Sequence, residues 1–174
     1  MQLIRQISLI GLGGILALVQ LPSTSLAQSF PQESRLQTEF TGSNKCLDIV
    51  NDGTNNQPIM ANCGNYTGQF WHVSPVNGRQ GFYRLQNQFS GDDKCLDIIN
   101  DGTNNQPIMA DCGNYTGQLW RIKQVDGREG SYRLQNQFSG NKKCLDIVND
   151  GTNNQLIMAN CGNYSGQSWK INDE

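Results

Sequence analysis

Histidine occurs once in these 174 residues, as His72, and none of the 6 cysteines stands in a Cys-x-x-Cys spacing. A zinc centre assembled from short-spaced Cys and His ligands is therefore excluded. Neither sign of charge dominates: 13 Lys+Arg face 15 Asp+Glu, a net charge of -2. That leaves no basic stripe for a nucleic acid and no acidic tail. Helical signal is missing too, because no 11-residue window carries a sustained apolar stripe at helical spacing. Beyond Ile7 to Leu21 there is no apolar run that could span a bilayer. What the chain has in excess is amide: 20 Asn and 18 Gln, each with a donor and an acceptor. Such side chains suit turns, and they suit neutral hydroxylated ligands.

Arg5, the uncharged run Ile7 to Leu21 and the small-residue site Ser25-Leu26-Ala27 ahead of Gln28 read together as a secretory signal peptide over residues 1–27. As a helix that run would reach only about 22 Å, short of a hydrocarbon core of about 30 Å. Membrane insertion is not expected. A short segment, 28–34, then leads into the repeated region.

Cys46, Cys95 and Cys144 are 49 residues apart, as are Cys63, Cys112 and Cys161, and Trp71, Trp120 and Trp169. Three units fill 35–174, as 35–83, 84–132 and 133–174. The first two are identical at 34 of 49 positions, the second and third at 31 of the 40 they share to Asn172. Identity runs through the loop Asn51-Asp52-Gly53-Thr54-Asn55-Asn56 and its copies at 100–105 and 149–154, where packing makes few demands. Either the duplication is recent or each loop performs one task.

Within a unit, Tyr83 to Asn87, Lys94 to Asn100, Pro107 to Asp111 and Leu119 to Gln124 are β-compatible runs separated by Gly, Asn and Asp turns. Three units are too few for a propeller of four to eight blades, so the expected fold is an all-β, threefold barrel with a cap. Opening strands near Arg35 must then meet closing strands near Ile171. Of the 15 pairings open to six cysteines, the economical set joins residues 17 apart in each unit: Cys46 with Cys63, Cys95 with Cys112, Cys144 with Cys161. An oxidising compartment permits it, and each loop closed would add about 3 kcal/mol on the chain-entropy account.

Cys-Leu-Asp at 46–48, 95–97 and 144–146, followed by Gln-x-Trp at 69–71, 118–120 and 167–169, resembles the ricin B-type lectin family. The resemblance implies a β-trefoil built from the three repeats, up to one shallow sugar pocket per unit, and no catalysis by the trefoil. It assigns Asp48, Asp97 and Asp146 as acceptors of sugar hydroxyls, against a plain turn-fixing role. Gln69, Gln118 and Gln167 would orient that Asp or reach the sugar, against the role of satisfied core amides. Trp71, Trp120 and Trp169 would be core.

The chain departs from the family pattern where galactose binders carry a stacking aromatic and a Gln. Those positions are Ala61 and Ile59, repeated as Ala110, Ile108, Ala159 and Ile157, and the residue before Gln-x-Trp is Gly68, Gly117 or Gly166. Each unit offers instead Asn65-Tyr66, Asn114-Tyr115 or Asn163-Tyr164: a flat face for a pyranose and an amide for its hydroxyls. The alternative lays each Tyr over its disulfide. Asn62, Asp111 and Asn160, just before the second Cys, are expected to line the same pocket.

The Asn-Asp-Gly loop is foremost a turn, with Asp52, Asn55 and Asn56 as a pocket wall the alternative. Calcium fits poorly, since Val50 and Ile59 occupy positions that need oxygen ligands. Asn65-Tyr66-Thr67, Asn114-Tyr115-Thr116 and Asn163-Tyr164-Ser165 are acceptor sequons whose glycans would block the pocket, and read as by-products of the Asn-Tyr motif. A hydrolase would need a unique carboxylate pair, which a tripled Asp does not supply. The sequence thus predicts a secreted, monomeric, multivalent lectin without metal or cofactor. Its partners would be glycans or glycoconjugates, and a trefoil protease inhibitor or adhesive protein is the competing reading.

Overall fold

The computed structural model describes residues 28–54, 56–103 and 105–173; the leader expected at 1–27 lies outside them, as do Asn55 and Asn104. Each unit contributes four strands. They are β1 Ser34–Thr38, β2 Lys45–Ile49, β3 Pro58–Asn62 and β4 Trp71–Pro75, then β5 Tyr83–Asn87, β6 Lys94–Ile98, β7 Pro107–Asp111 and β8 Trp120–Val125. The third set is β9 Arg128–Asn136, β10 Lys143–Ile147, β11 Leu156–Asn160 and β12 Trp169–Asp173. The expected run Lys94 to Asn100 ends early, at Ile98, where the turn begins. Leu119 is not in β8 because it closes the 3-10 turn Thr116–Gln118.

Six strands close a barrel, each paired with the next in the ring β1, β12, β9, β8, β5, β4 and back to β1. First and last strands pair antiparallel, from Ser34 opposite Asp173 to Thr38 opposite Trp169. The remaining six form three hairpins of one register, which places Asp48 opposite Ile59, Asp97 opposite Ile108 and Asp146 opposite Ile157. The molecule is an all-β trefoil. Barrel strands alternate because period-2 side chains face inward and outward in turn, and Leu36, Leu85 and Leu134 are wholly buried on the inner face. The three indoles are core, as expected: Trp71, Trp120 and Trp169 are buried, and each Nε1 donates to the carbonyl of Leu47, Leu96 or Leu145, at 2.9, 2.8 and 2.9 Å respectively. Among the described residues, no helix is long and apolar enough to cross a membrane.

Two features outside the barrel finish the architecture. At the cap, each Asn-Asp-Gly loop reaches the next unit: Asn56 O accepts from Met109 N at 2.7 Å, Asn105 O from Met158 N at 2.7 Å, and Asn154 O from Met60 N at 2.8 Å. The loops therefore share one structural task, the closure of the cap around the pseudo-threefold axis. Each also folds on itself. Thr54 N lies 3.0 Å, and the Thr54 hydroxyl 2.7 Å, from Asp52 Oδ1. Gly53 supplies the left-handed backbone that this turn needs, with φ 89°. Asp52 and Asn56 are spent on the turn and are not part of the cavity in front of Asp48.

At the opposite end, Phe30 meets Tyr83 and Tyr132 edge-on, with ring centroids 5.4 and 5.5 Å away. Gln28 bridges the same pair: its carbonyl accepts from Tyr83 Oη at 2.9 Å, and its Nε2 donates to Tyr132 Oη at 2.8 Å. The repeat puts Ser34, fully buried, where a third tyrosine would stand. Phe30, packed against the core and the two rings that remain, forms with Gln28 the plug at this end of the barrel.

Candidate functional site

The tripled Asp sits in the cap hairpin with both oxygens held. Asp48 Oδ1 accepts from Ile49 N at 2.8 Å and Oδ2 from Gln69 Nε2 at 2.8 Å. Asp97 repeats this at 2.7 and 2.9 Å, and Asp146 at 2.8 and 2.8 Å. Gln69 is fully buried. Its second N–H goes to Asn62 O at 2.9 Å and its Oε1 accepts from Gly64 N at 2.8 Å, so no Gln69 donor is left for a ligand. Gln118 and Gln167 have the same partners in their units. The structure thus places all three glutamines behind the carboxylates, which they aim.

Gly68, Gly117 and Gly166 are explained by the same arrangement. A Cβ built on any of them would collide with the Oδ1 of Asp48, Asp97 or Asp146. The family position before Gln-x-Trp has no side chain here, and the carboxylate occupies that space.

In front of the Asp lies a cavity of about 620 Å³ in unit 1, lined by Asp48, Val50, Asn51, Ile59, Asn65, Tyr66, Thr67 and Phe89 among others. Unit 2 has its counterpart, about 590 Å³, lined by Asp97, Asn100, Ile108, Ala110, Asn114, Tyr115 and Phe138 among others. Asp, Asn and Tyr of the sequence reading are therefore brought together. The tyrosines do not lie buried over the disulfides: Tyr66, Tyr115 and Tyr164 are 63%, 63% and 62% exposed. One edge of each ring rests on Gly64, Gly113 or Gly162, where a Cβ would strike it, and the rest of the ring is open to solvent. Disulfides Cys46–Cys63, Cys95–Cys112 and Cys144–Cys161 anchor the segment beneath, paired as expected.

Asn62 and Asp111 sit elsewhere than the sequence predicts. On β7 the cavity is lined by Ile108 and Ala110, so period 2 sends Met109 and Asp111 to the other side. Asp111 instead forms an ion pair with Lys94 across the hairpin, and Asn62 is not among the residues lining the unit 1 cavity. Asn160 holds the same register position, opposite Lys143. Phe89 and Phe138 were missed because each comes from the unit after its cavity. Their spacing of 49, shared with Phe40, is the signal that marks them. Ile59 and Ile108 do line the cavities, as apolar floor. Among the described residues, no three metal-capable side chains converge.

Solved structures share this architecture. A designed threefold-symmetric protein, ThreeFoil, superposes with a TM-score of 0.69 at 26% identity, over 83% of this chain and 100% of that one. A Macrolepiota procera ricin B-like lectin in complex with lactose gives 0.67 at 16% identity, over 86% and 100%. An exo-β-1,3-galactanase of Clostridium thermocellum gives 0.65 at 20% identity, over 83% of this chain but only 31% of the enzyme. Comparison with curated proteins returns no match. The family model for the ricin-type β-trefoil lectin domain matches residues 32–124 and 81–174, so the two matches together take in every strand of the trefoil. The tripled Asp, Gln and Trp geometry and that coverage have one meaning: the chain belongs to the ricin-type β-trefoil lectin domain family.

Proposed function

We propose that the protein is a secreted, non-enzymatic lectin that binds glycans through three like sites, one per unit. The observation that carries this reading is the exposed tyrosine beside a held carboxylate and an amide, repeated in each unit. Tyr66 supplies a flat apolar face for the C–H side of a pyranose. Asp48 retains lone pairs for sugar hydroxyls, because each oxygen accepts one hydrogen bond within the protein and has capacity for another. Asn65 adds a donor and an acceptor at the rim. Each of the two cavities contains a single acid, whereas glycoside hydrolysis ordinarily works with two. The leader motif and three disulfides support export to an oxidising compartment.

A glycan array probed with the chain from Gln28 onward tests this. The comparison is a Tyr66→Ala, Tyr115→Ala, Tyr164→Ala variant, which removes only exposed rings and so keeps the fold. Wild type binds, and each Tyr→Ala change weakens its site about tenfold, the equivalent of roughly 1.4 kcal/mol of stacking. A folded wild type that binds no glycan overturns the proposal.

A further inference from the structure

The three sites share their inner parts and differ at the rim. In unit 3, Arg128 Nη2 donates to Asn163 Oδ1 at 3.4 Å, while Arg128 Nη1 is 2.8 Å from Glu39 Oε2. Glu39 precedes Phe40, and its N–H donates to Ser168 O, inside Gln-x-Trp, at 3.0 Å. An ion pair therefore straps the edge of the third site, from the β8–β9 hairpin to the segment carrying Phe40.

The other units cannot build it. Where site 3 has Glu39, sites 1 and 2 have the neutral Gln88 and Gln137. Where site 3 has Arg128, site 2 has Arg79, and the repeat places Phe30 of the barrel plug at the position for site 1. Backbone differs as well: Arg128 opens strand β9 opposite buried Val125, whereas Arg79 is exposed and precedes the start of β5.

Resting on the lectin reading above, we propose that Arg128 is a specificity-determining residue that makes the third site unlike the other two. The guanidinium holds the Asn163 amide with its Oδ1 toward Arg128, so Asn163 presents its Nδ2 hydrogens to a ligand. Asn65 and Asn114 can turn either end of the amide toward a hydroxyl. Glu39 balances the guanidinium charge, so the third site favours a neutral saccharide that places an acceptor oxygen at Asn163.

The probe is the same glycan array, read with one site at a time. In a Tyr66→Ala, Tyr115→Ala background, where the third site dominates binding, Arg128→Ala changes the rank order of glycans and weakens the best one about three- to tenfold. Arg128→Lys keeps the ion pair but not the fork, and restores thermal stability without restoring the profile. In a Tyr66→Ala, Tyr164→Ala background, Arg79→Ala leaves the profile of the second site unchanged. Superimposable third-site profiles with and without Arg128 overturn the inference alone. A wild type that binds nothing on the array overturns the lectin reading and this inference with it.

Discussion

At the scale of single residues, the site depends on a chain of three side groups: a buried glutamine aims a carboxylate, and a missing Cβ leaves it room. Gly117→Ala forces Asp97 aside, since the added Cβ would overlap its Oδ1. The change abolishes binding at the second site and costs about 1–3 kcal/mol of stability through overpacking. Thermal melts and site-isolated binding, read on one sample, check both effects. Gln118→Leu leaves the Gly113 N–H and one Asp97 oxygen unpaired behind the site. Chemical denaturation of that variant shows a loss of about 2–4 kcal/mol. Tyr115→Ala removes an exposed ring, and its stability stays within about 0.5 kcal/mol of wild type. Asp97, Gln118, Tyr115 and Asn114 were legible as neighbours in the sequence, because tripled chemistry at a fixed spacing survives without knowledge of the fold. The place of Asp111 was not, because its side of the strand depends on hairpin register, and a shift of one residue exchanges the faces.

At the scale of elements, the Asn-Asp-Gly loop is both a turn and a tie between units. Asp150 is held below the ordinary carboxylate value of 3.8 by the Asn153 N–H, then by the Thr152 hydroxyl and N–H. A lowered folded pKa means that this stabilisation is complete above the usual range and is lost as pH falls through the lower folded value. Wild type and Asp150→Asn therefore differ in urea midpoint at pH 5 and converge toward pH 2, and identical midpoints throughout would deny the loop that role. Turn chemistry alone identified the loop, but not what it ties, because the partner N–H groups of Met60, Met109 and Met158 belong to other units. The same distance in sequence hid Phe89 and Phe138.

At the scale of the molecule, the tripled repeat made the threefold barrel legible, since three near-identical patterns have few ways to bury one core. The plug was not legible, because Phe30 belongs to no repeated motif. Burial raises the Tyr83 pKa above the usual 10.0, against the smaller opposing effect of its bond to Gln28. A raised folded pKa gives stability that is full below the ordinary value and declines as pH rises through the folded one. Tyr83→Phe flattens that alkaline decline in a pH series of thermal melts, and an unaltered decline would deny Tyr83 any part in it.

Because Ser34 pairs with Asp173, the two ends of the barrel lie on adjacent strands. Such strands are about 4.8 Å apart. The seam between the third unit and the first is therefore equivalent in space to the two seams the chain already crosses. Covalent order among the units is then arbitrary. A circular permutant that starts at Gly81 and ends at Gln80, with a short linker joining the old termini, is cut in the turn ahead of β5 and retains every strand pairing. It also moves the break in the ring to a different site.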